Sequence, residues 1–299
     1  MFGLPLLVVI AGGLFLPVTP RASKSLLGAK LQKDELLRTT AGPRLIFVGG
    51  SNLSFGLDCE IAKESLGLNP INTAVHANLG LIYMMDSSLE FVQQGDVVVV
   101  AAEYNNFYGD YAYGQAELLR TVLDVSREDI DRLSLRQWRN IIGGVPKYCL
   151  TKLRPTEYLN VQESRIYGVN SFNRYGDASG HWGMPAQEFA PQGQASGELN
   201  EAVFDALAGF GESVASRGAQ MFVTFPCLQA KSFDGDEEKI RRVETELRRR
   251  GFDLLGSAER YKMEQSMMFN SPYHLIKEGA ERRTRLLIED LAGAGIDGH

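Results

Sequence analysis

The apolar positions fall into short dense blocks separated by longer stretches with helical spacing. Residues 44–48 (RLIFV) form an almost wholly apolar run, as a parallel strand buried on both faces should. A helical segment follows at 59–66, then a second short strand at 70–74 and a helix-spaced stretch at 79–92 (LGLIYMMDSSLEFV). Residues 96–102 (DVVVVAA) are the strongest strand in the chain, and their β-branched run belongs in the middle of a sheet. The rhythm lapses from 108 to about 195. There, charged helical stretches (116–123, 127–142) lead into a part rich in Gly, Asn, Pro and aromatic residues, which predicts an insertion or cap. It resumes with a long helix at 197–217, a strand at 220–225 (QMFVTF) and a charged helix at 236–250. That helix has acids first and Arg last, as its dipole prefers. A short fifth strand at 252–255 and a final helix from 277 or 278 to 291 complete the pattern. Alternating strands and helices predict an α/β fold with a mostly parallel sheet covered on both faces. In such sheets ligands bind beyond the carboxyl ends of the strands, here the loops after Val48, Ala74, Ala102 and Phe225.

Ahead of this domain, residues 2–18 carry no charge and are rich in Leu, Val, Ile and Phe. At ~1.5 Å per residue the run is at the short end for a membrane span, and it is not amphipathic. It predicts a signal peptide or an N-terminal signal anchor over 1–20, with a buried core helix as the alternative. The absence of an A-x-A site before Arg21 favours the anchor. Residues 21–42 read as a polar helical linker to a domain at 43–293. No Lys or Arg precedes the apolar run, whereas Arg21, Lys24, Lys30 and Lys33 follow it. Taken literally, the positive-inside rule puts the globular part in the cytoplasm.

Composition narrows the classes. With 299 residues, 44% hydrophobic and 23% charged, the chain is globular rather than disordered, collagenous or coiled coil. A net charge of −6 without a long basic run argues against nucleic acid as a partner. Cys59, Cys149 and Cys227 are odd in number and far apart, which excludes a disulfide scaffold and a zinc ribbon. The scattered histidines suggest no metal, and nothing implies a cofactor.

The loop after the first strand reads VGGSNLSFG over 48–56. A Ser after a Gly pair at the end of a buried strand is placed to expose its hydroxyl. The lack of a Lys excludes a Walker A loop, and GxGxxG is absent. A nucleophilic Ser51 and an ordinary strand-to-helix turn remain. After the third strand, Glu103-Tyr104-Asn105-Asn106 offers carboxamides that can donate to an oxyanion. His274, on a loop leading into the last helix, is positioned as a general base if it meets Ser51.

In this order the set resembles the SGNH, or GDSL-type, hydrolase superfamily over roughly 43–291, the insertion apart. That resemblance implies a flavodoxin-like three-layer α/β/α sandwich, with Ser51 as nucleophile and His274 as base. The oxyanion would be held by the Ser51 N–H, the N–H of Ala77 or Gly80, and Asn105. The phrases GGSNLSFGLD, VVVVAAEYNNFYG, SFNRYGD and PYHLIKEGAERRT resemble an uncharacterised bacterial branch with an N-terminal anchor, which implies an extracytoplasmic domain. The family's D-x-x-H carboxylate is replaced by Ser271, with Asn270 the nearest polar alternative. Glu103 stands where the family has Gly, and would be the missing acid if it lay near His274. Asn52, His76, Glu103, Asn106 and His181 are further expected substrate contacts. The expected activity is removal of a small acyl group from an ester, such as an acetylated envelope polysaccharide. An O-acyltransferase with the same residues, and a non-catalytic glycan-binding protein of this fold, are the alternatives.

Overall fold

The computed structural model describes residues 10–193 and 196–297. Residues 1–9, the first part of the expected N-terminal anchor, lie outside them, and among the described residues no helix is long and apolar enough to cross a membrane. Five strands form one all-parallel sheet: β1 (Arg44–Gly49), β2 (Asn69–Asn72), β3 (Val97–Ala101), β4 (Gln220–Thr224) and β6 (Leu254–Leu255), in the order β2-β1-β3-β4-β6. Successive side chains of a strand point to opposite faces, so an apolar run must be covered twice. Ile46, Val48, Val98 and Val100 pack beneath α5 (Leu81–Leu89), α9 (Glu201–Ser216) and α11 (Glu237–Arg249). Leu45, Phe47, Val97 and Val99 pack beneath α4 (Cys59–Leu66) and α12 (Lys277–Gly293). The result is a flavodoxin-like three-layer sandwich, and the order of the strands reverses at β1, which puts a crevice beyond its carboxyl end.

Two expectations change. Residues 21–42 are not a linker. They hold α1 (Pro20–Lys24) and α2 (Ala29–Thr39), with Ala22, Ala29, Lys33 and Leu37 buried. The helix expected over 127–142 is broken: a 3₁₀ stretch, Arg127–Arg132, precedes a new helix, α7 (Leu135–Ile141). The break falls at Ser134, whose side chain forms a capping box with Gln137 and so starts the second helix afresh.

The insertion also carries α6 (Ala116–Asp124) and α8 (Val145–Lys152). Its SFNRYGD phrase folds back onto the sheet. Asp177, fully buried, accepts from the Cys59 N–H (2.9 Å) and from Asn72 Nδ2 (2.8 Å), while the Ala178 N–H donates to the Ser54 carbonyl (2.8 Å). Lys33, also buried, donates to the carbonyls of Asn72 (2.9 Å) and Gly176 (2.6 Å). The second side of the crevice is built from short pieces that the hydrophobic pattern does not reveal. These are β5 (Leu228–Gln229) with β7 (Lys262–Met263), and a hairpin of β8 (Met268–Ser271) with β9 (His274–Leu275).

The opposite end of the sheet is tied by a buried pair. Arg44 Nε donates to Asp96 Oδ1 (2.9 Å) and Nη2 to Oδ2 (2.5 Å), and Arg44 also caps the carbonyls of Leu37 and Phe91. Neither side chain is more than 2% exposed. Removing one partner leaves the other charged and unpaired, so Arg44→Met or Asp96→Leu is expected to cost about 3–5 kcal/mol. The double substitution should cost less than the two single losses added together. Urea unfolding of the three variants measures both.

Candidate functional site

Three loops at the carboxyl end of the sheet each present a polar side chain to solvent. Between residues 44 and 59 every residue is buried except Ser51, which is partly exposed. Between 96 and 108 the one exception is Asn105. The loop after β2 contributes His76, also partly exposed. The buried flanks immobilise the backbone, so the exposed groups are held by their neighbours.

Ser51 opens a single helical turn, α3 (Ser51–Ser54), directly after Gly50. Gly50 is required by close approach. A Cβ there would lie 2.5 Å from both carboxyl oxygens of Glu103 and 2.7 Å from the Ala77 Cα. Asn52 fixes the turn: its N–H donates to Glu103 Oε1 (3.0 Å) and its Nδ2 to the Ala101 carbonyl (2.9 Å). Its own carbonyl and Oδ1 accept from Arg283 at 3.1 and 3.3 Å.

His274 is brought to this loop by the β8–β9 hairpin. Its ring stacks on Phe55 with centroids 4.2 Å apart, and the Leu275 N–H donates to the Phe55 carbonyl (3.2 Å). Phe55 follows Ser51 by one helical turn, with its N–H donating to the Ser51 carbonyl (2.9 Å). The imidazole Nδ1 meets Asn270 Oδ1 at 3.0 Å, and Asn270 Nδ2 donates to the Tyr167 hydroxyl (2.6 Å). Since a carboxamide oxygen only accepts, Nδ1 carries the proton and Nε2 keeps its lone pair. Of the two expected orienting residues, then, Asn270 contacts the ring. Ser271 instead accepts from the Tyr273 N–H (3.4 Å) within the hairpin turn. The register is irregular between Met268 and Ser271, the kind of disturbance that re-aims a side chain.

The remaining expected residues separate cleanly. Gly80 is excluded as an oxyanion donor because its N–H donates to the Ala77 carbonyl (2.9 Å), which leaves Ala77 of the two. Asn105 Oδ1 accepts weakly from Asn106 (3.5 Å), and its N–H₂ also donates to the Tyr111 hydroxyl, so a ligand would share that group with Tyr111. Asn52 and Asn106 are fully buried and structural rather than substrate contacts. Asn106 Oδ1 accepts from the Leu81 N–H (3.1 Å), fixing the start of α5. His181 is likewise a core residue: buried between Phe55 and Phe269, it meets the Leu275 carbonyl through Nε2 at 2.8 Å. Glu103 does not replace the missing acid beside His274. It lies under Gly50, with Oε2 buried and unpartnered. Burial raises its pKa against the pull of the Asn52 N–H. Phe55 and Tyr167, which position the base, were not expected from the sequence; an aromatic residue one turn after Ser51 was the available signal for the first.

A cavity of about 460 Å³ is bounded by His76, Tyr167, Leu26, Leu27, Leu119 and the inner side of α8; it meets the site through His76 and Tyr167, and Ser51, Asn105 and His274 do not line it. His76 Nδ1 accepts from the Asn78 N–H (3.1 Å), so Nε2 holds its proton. No protein-family model, curated protein or solved structure matches the chain. What fold and geometry define is a flavodoxin-like α/β domain with an exposed Ser, a carboxamide and an oriented neutral His at one end of its sheet.

Burial lowers the His274 pKa to about 3, with the neighbouring His181 and His76 acting in the same direction. In the unfolded chain the same ring titrates near ~6.5. Below that pH the unfolded chain binds the extra proton, so the contribution of His274 to stability is complete above ~6.5 and declines as pH falls towards 3. Urea midpoints should therefore drop across this interval, and His274→Gln should flatten the slope.

Proposed function

We propose that the protein is a serine esterase of the SGNH hydrolase type that removes a small acyl group from an ester, with acylated glycan as the substrate class. The observation that carries this reading is the pairing of His274 with Asn270. It leaves an imidazole lone pair free, on a ring stacked against the residue one turn beyond the single solvent-facing position of a buried loop, Ser51. In the proposed reaction His274 Nε2 takes the Ser51 hydroxyl proton as Oγ attacks the ester carbonyl. The N–H groups of Ser51 and Ala77 and the Asn105 carboxamide hold the oxyanion. The tetrahedral intermediate collapses with loss of the alcohol, which receives the proton from Nε2. Water, deprotonated by the same nitrogen, then releases the acid and restores Ser51. The cavity beside His76 and Tyr167 supplies room for the alcohol part of the ester. A sugar hydroxyl in place of that water would make the same residues an O-acyltransferase.

One observation favours the non-catalytic, glycan-binding alternative: the buried Glu103 carboxyl beside Gly50 and Ala77, where an oxyanion would form. Ionised, it would oppose negative charge there; its raised pKa favours the neutral acid, which would not. Labelling with a fluorophosphonate separates the two. The esterase reading expects an adduct mapped to Ser51 and abolished in Ser51→Ala. Folded protein that does not label refutes an activated serine and points to glycan binding. Activity on a small acyl ester should fall on the order of 10³-fold or more in Ser51→Ala and in His274→Ala. The acid limb of kcat/KM should lie well below ~6.5, because the imidazole stays neutral there. Asn270→Asp should raise both that limb and kcat, by giving the imidazolium a charged partner.

A further inference from the structure

Among the described residues, the large apolar side chains that stand exposed are not scattered. All but Leu31 lie at 14–18 or 135–167. Phe15 is 89% exposed, Leu135 77% and Leu159 66%, and Ile142, Leu150 and Leu153 join them on the outer side of α7, α8 and the turn that follows. Isolated exposed apolar residues need no explanation, but a cluster confined to one inserted segment does.

Residues 10–21 run along this same segment and are fastened to it. Lys152 Nζ donates to the Leu16 carbonyl (2.8 Å), the Tyr158 hydroxyl to the Pro17 carbonyl (3.4 Å) and Arg21 Nη2 to the Thr156 carbonyl (3.0 Å). Ile10 and Leu14 line an apolar depression of about 440 Å³ with Trp138, Ile142 and Val145. Ile10, the first of the described residues, thus lies on this face. The charge of the face is also distinct. Over 133–160 there are five basic residues against one acid, Glu157, in a chain whose net charge is −6; Lys152 is buried against Asp124 and Arg136 pairs with Asp110, which leaves Arg139, Lys147 and Arg154. All three are exposed, Lys147 at the edge that α8 shares with the cavity beside His76.

We propose that the outer side of α7, α8 and the following turn is a membrane-docking face, which seats the domain on a bilayer surface containing anionic lipid. Apolar side chains entering the interface and cations at its rim are what such a surface recognises. A second copy of this chain fits less well, because two-fold pairing of the face would bring its cations together. The face lies on the outer side of α8, and the inner side of α8 bounds the cavity beside His76 and Tyr167. Docking would thus hold that cavity close to the membrane, whatever the chemistry at Ser51.

The test is a depth measurement on the full chain. The native cysteines are all buried, so the wild-type protein serves as the unlabelled blank. Leu153→Cys and, as a control, Arg248→Cys are labelled with bimane. Arg248 is exposed on α11, which leads to β6, the edge strand farthest from β2. Each variant is mixed with vesicles of phosphatidylcholine and phosphatidylglycerol carrying a nitroxide lipid. Docking expects the label at 153 to lose most of its emission and shift to the blue, and the label at 248 to be unaffected. Adding Leu150→Ser and Leu159→Ser should reduce quenching at 153, as should omitting phosphatidylglycerol. Protein that floats with vesicles while 153 stays unquenched overturns the proposal, since the N-terminal segment would then be acting alone. Equal quenching at 153 and 248, failure to bind vesicles, or lipid-independent crosslinking between 153 positions of two copies would overturn it as well.

Discussion

The turn after β1 depends on one buried carboxamide. Asn52 donates to the end of β3, accepts from Arg283 on α12, and through its N–H meets the carboxyl of Glu103. No side chain in the apolar layers could link these three elements, because each presents a main-chain or charged group that must be satisfied where water is excluded. Arg283 is itself fully buried and also reaches the Phe225 carbonyl at the end of β4. The carboxyl ends of β1, β3 and β4 are thereby tied to one helix. Ser51 is exposed because every residue around it is fixed from below.

A second set of buried polar groups does the same for the insertion. Asp177 is satisfied by the Cys59 N–H, Asn72 and Asn173, and Lys33 by two carbonyls with the Phe172 ring facing its ammonium. Burial lowers the Lys33 pKa to about 7, against the attraction of Asp177. Such groups are costly to desolvate and weak as a source of net stability, but they restrict the number of ways a loop can pack. They are therefore what allows a long irregular segment to deliver Tyr167 to Asn270, and Asn270 to His274.

How far the sequence revealed this depended on the kind of constraint involved. The sheet was legible because burial on both faces writes an unbroken apolar run, as in VVVVAA, and helices between such runs leave little choice of architecture. Ser51 and Asn105 were legible as candidates because strand ends in a parallel sheet converge, and His274 because it stands on a loop just before the last helix. Asn270 could be seen as one of two possibilities, but choosing it over Ser271 needed the hairpin's irregular register, a property of three-dimensional pairing. The opposite error affected His181, Asn52 and Asn106: a polar residue on a loop reads as available, whereas loops pressed into a crevice bury their polar groups as thoroughly as strands do. Residues 21–42 misled for a related reason. Lys30, Lys33 and Asp34 look like a solvated helix face, yet all three are buried, Lys30 against Asp34 and Lys33 under the insertion.

The two departures from the pattern of the proposed hydrolase act on the same quantity, the charge of the site. Asn270 cannot supply the negative charge a carboxylate would, and Glu103, buried with an unpartnered oxygen, is biased towards its neutral form. His274 is biased the same way by burial. Burial thus works against charge on both groups beneath a partly exposed hydroxyl. A proton moved from Ser51 to Nε2 would create an imidazolium whose Nδ1 faces only a carboxamide dipole. In a serine triad, exchanging the carboxylate for an amide lowers turnover by about 10⁴, largely through the wrong tautomer. Here Asn270 donates its N–H to Tyr167 and turns its oxygen to the ring, which places the proton on Nδ1, the tautomer such a triad needs. On the proposed serine mechanism that part of the penalty is absent, and what remains is the missing counter-charge.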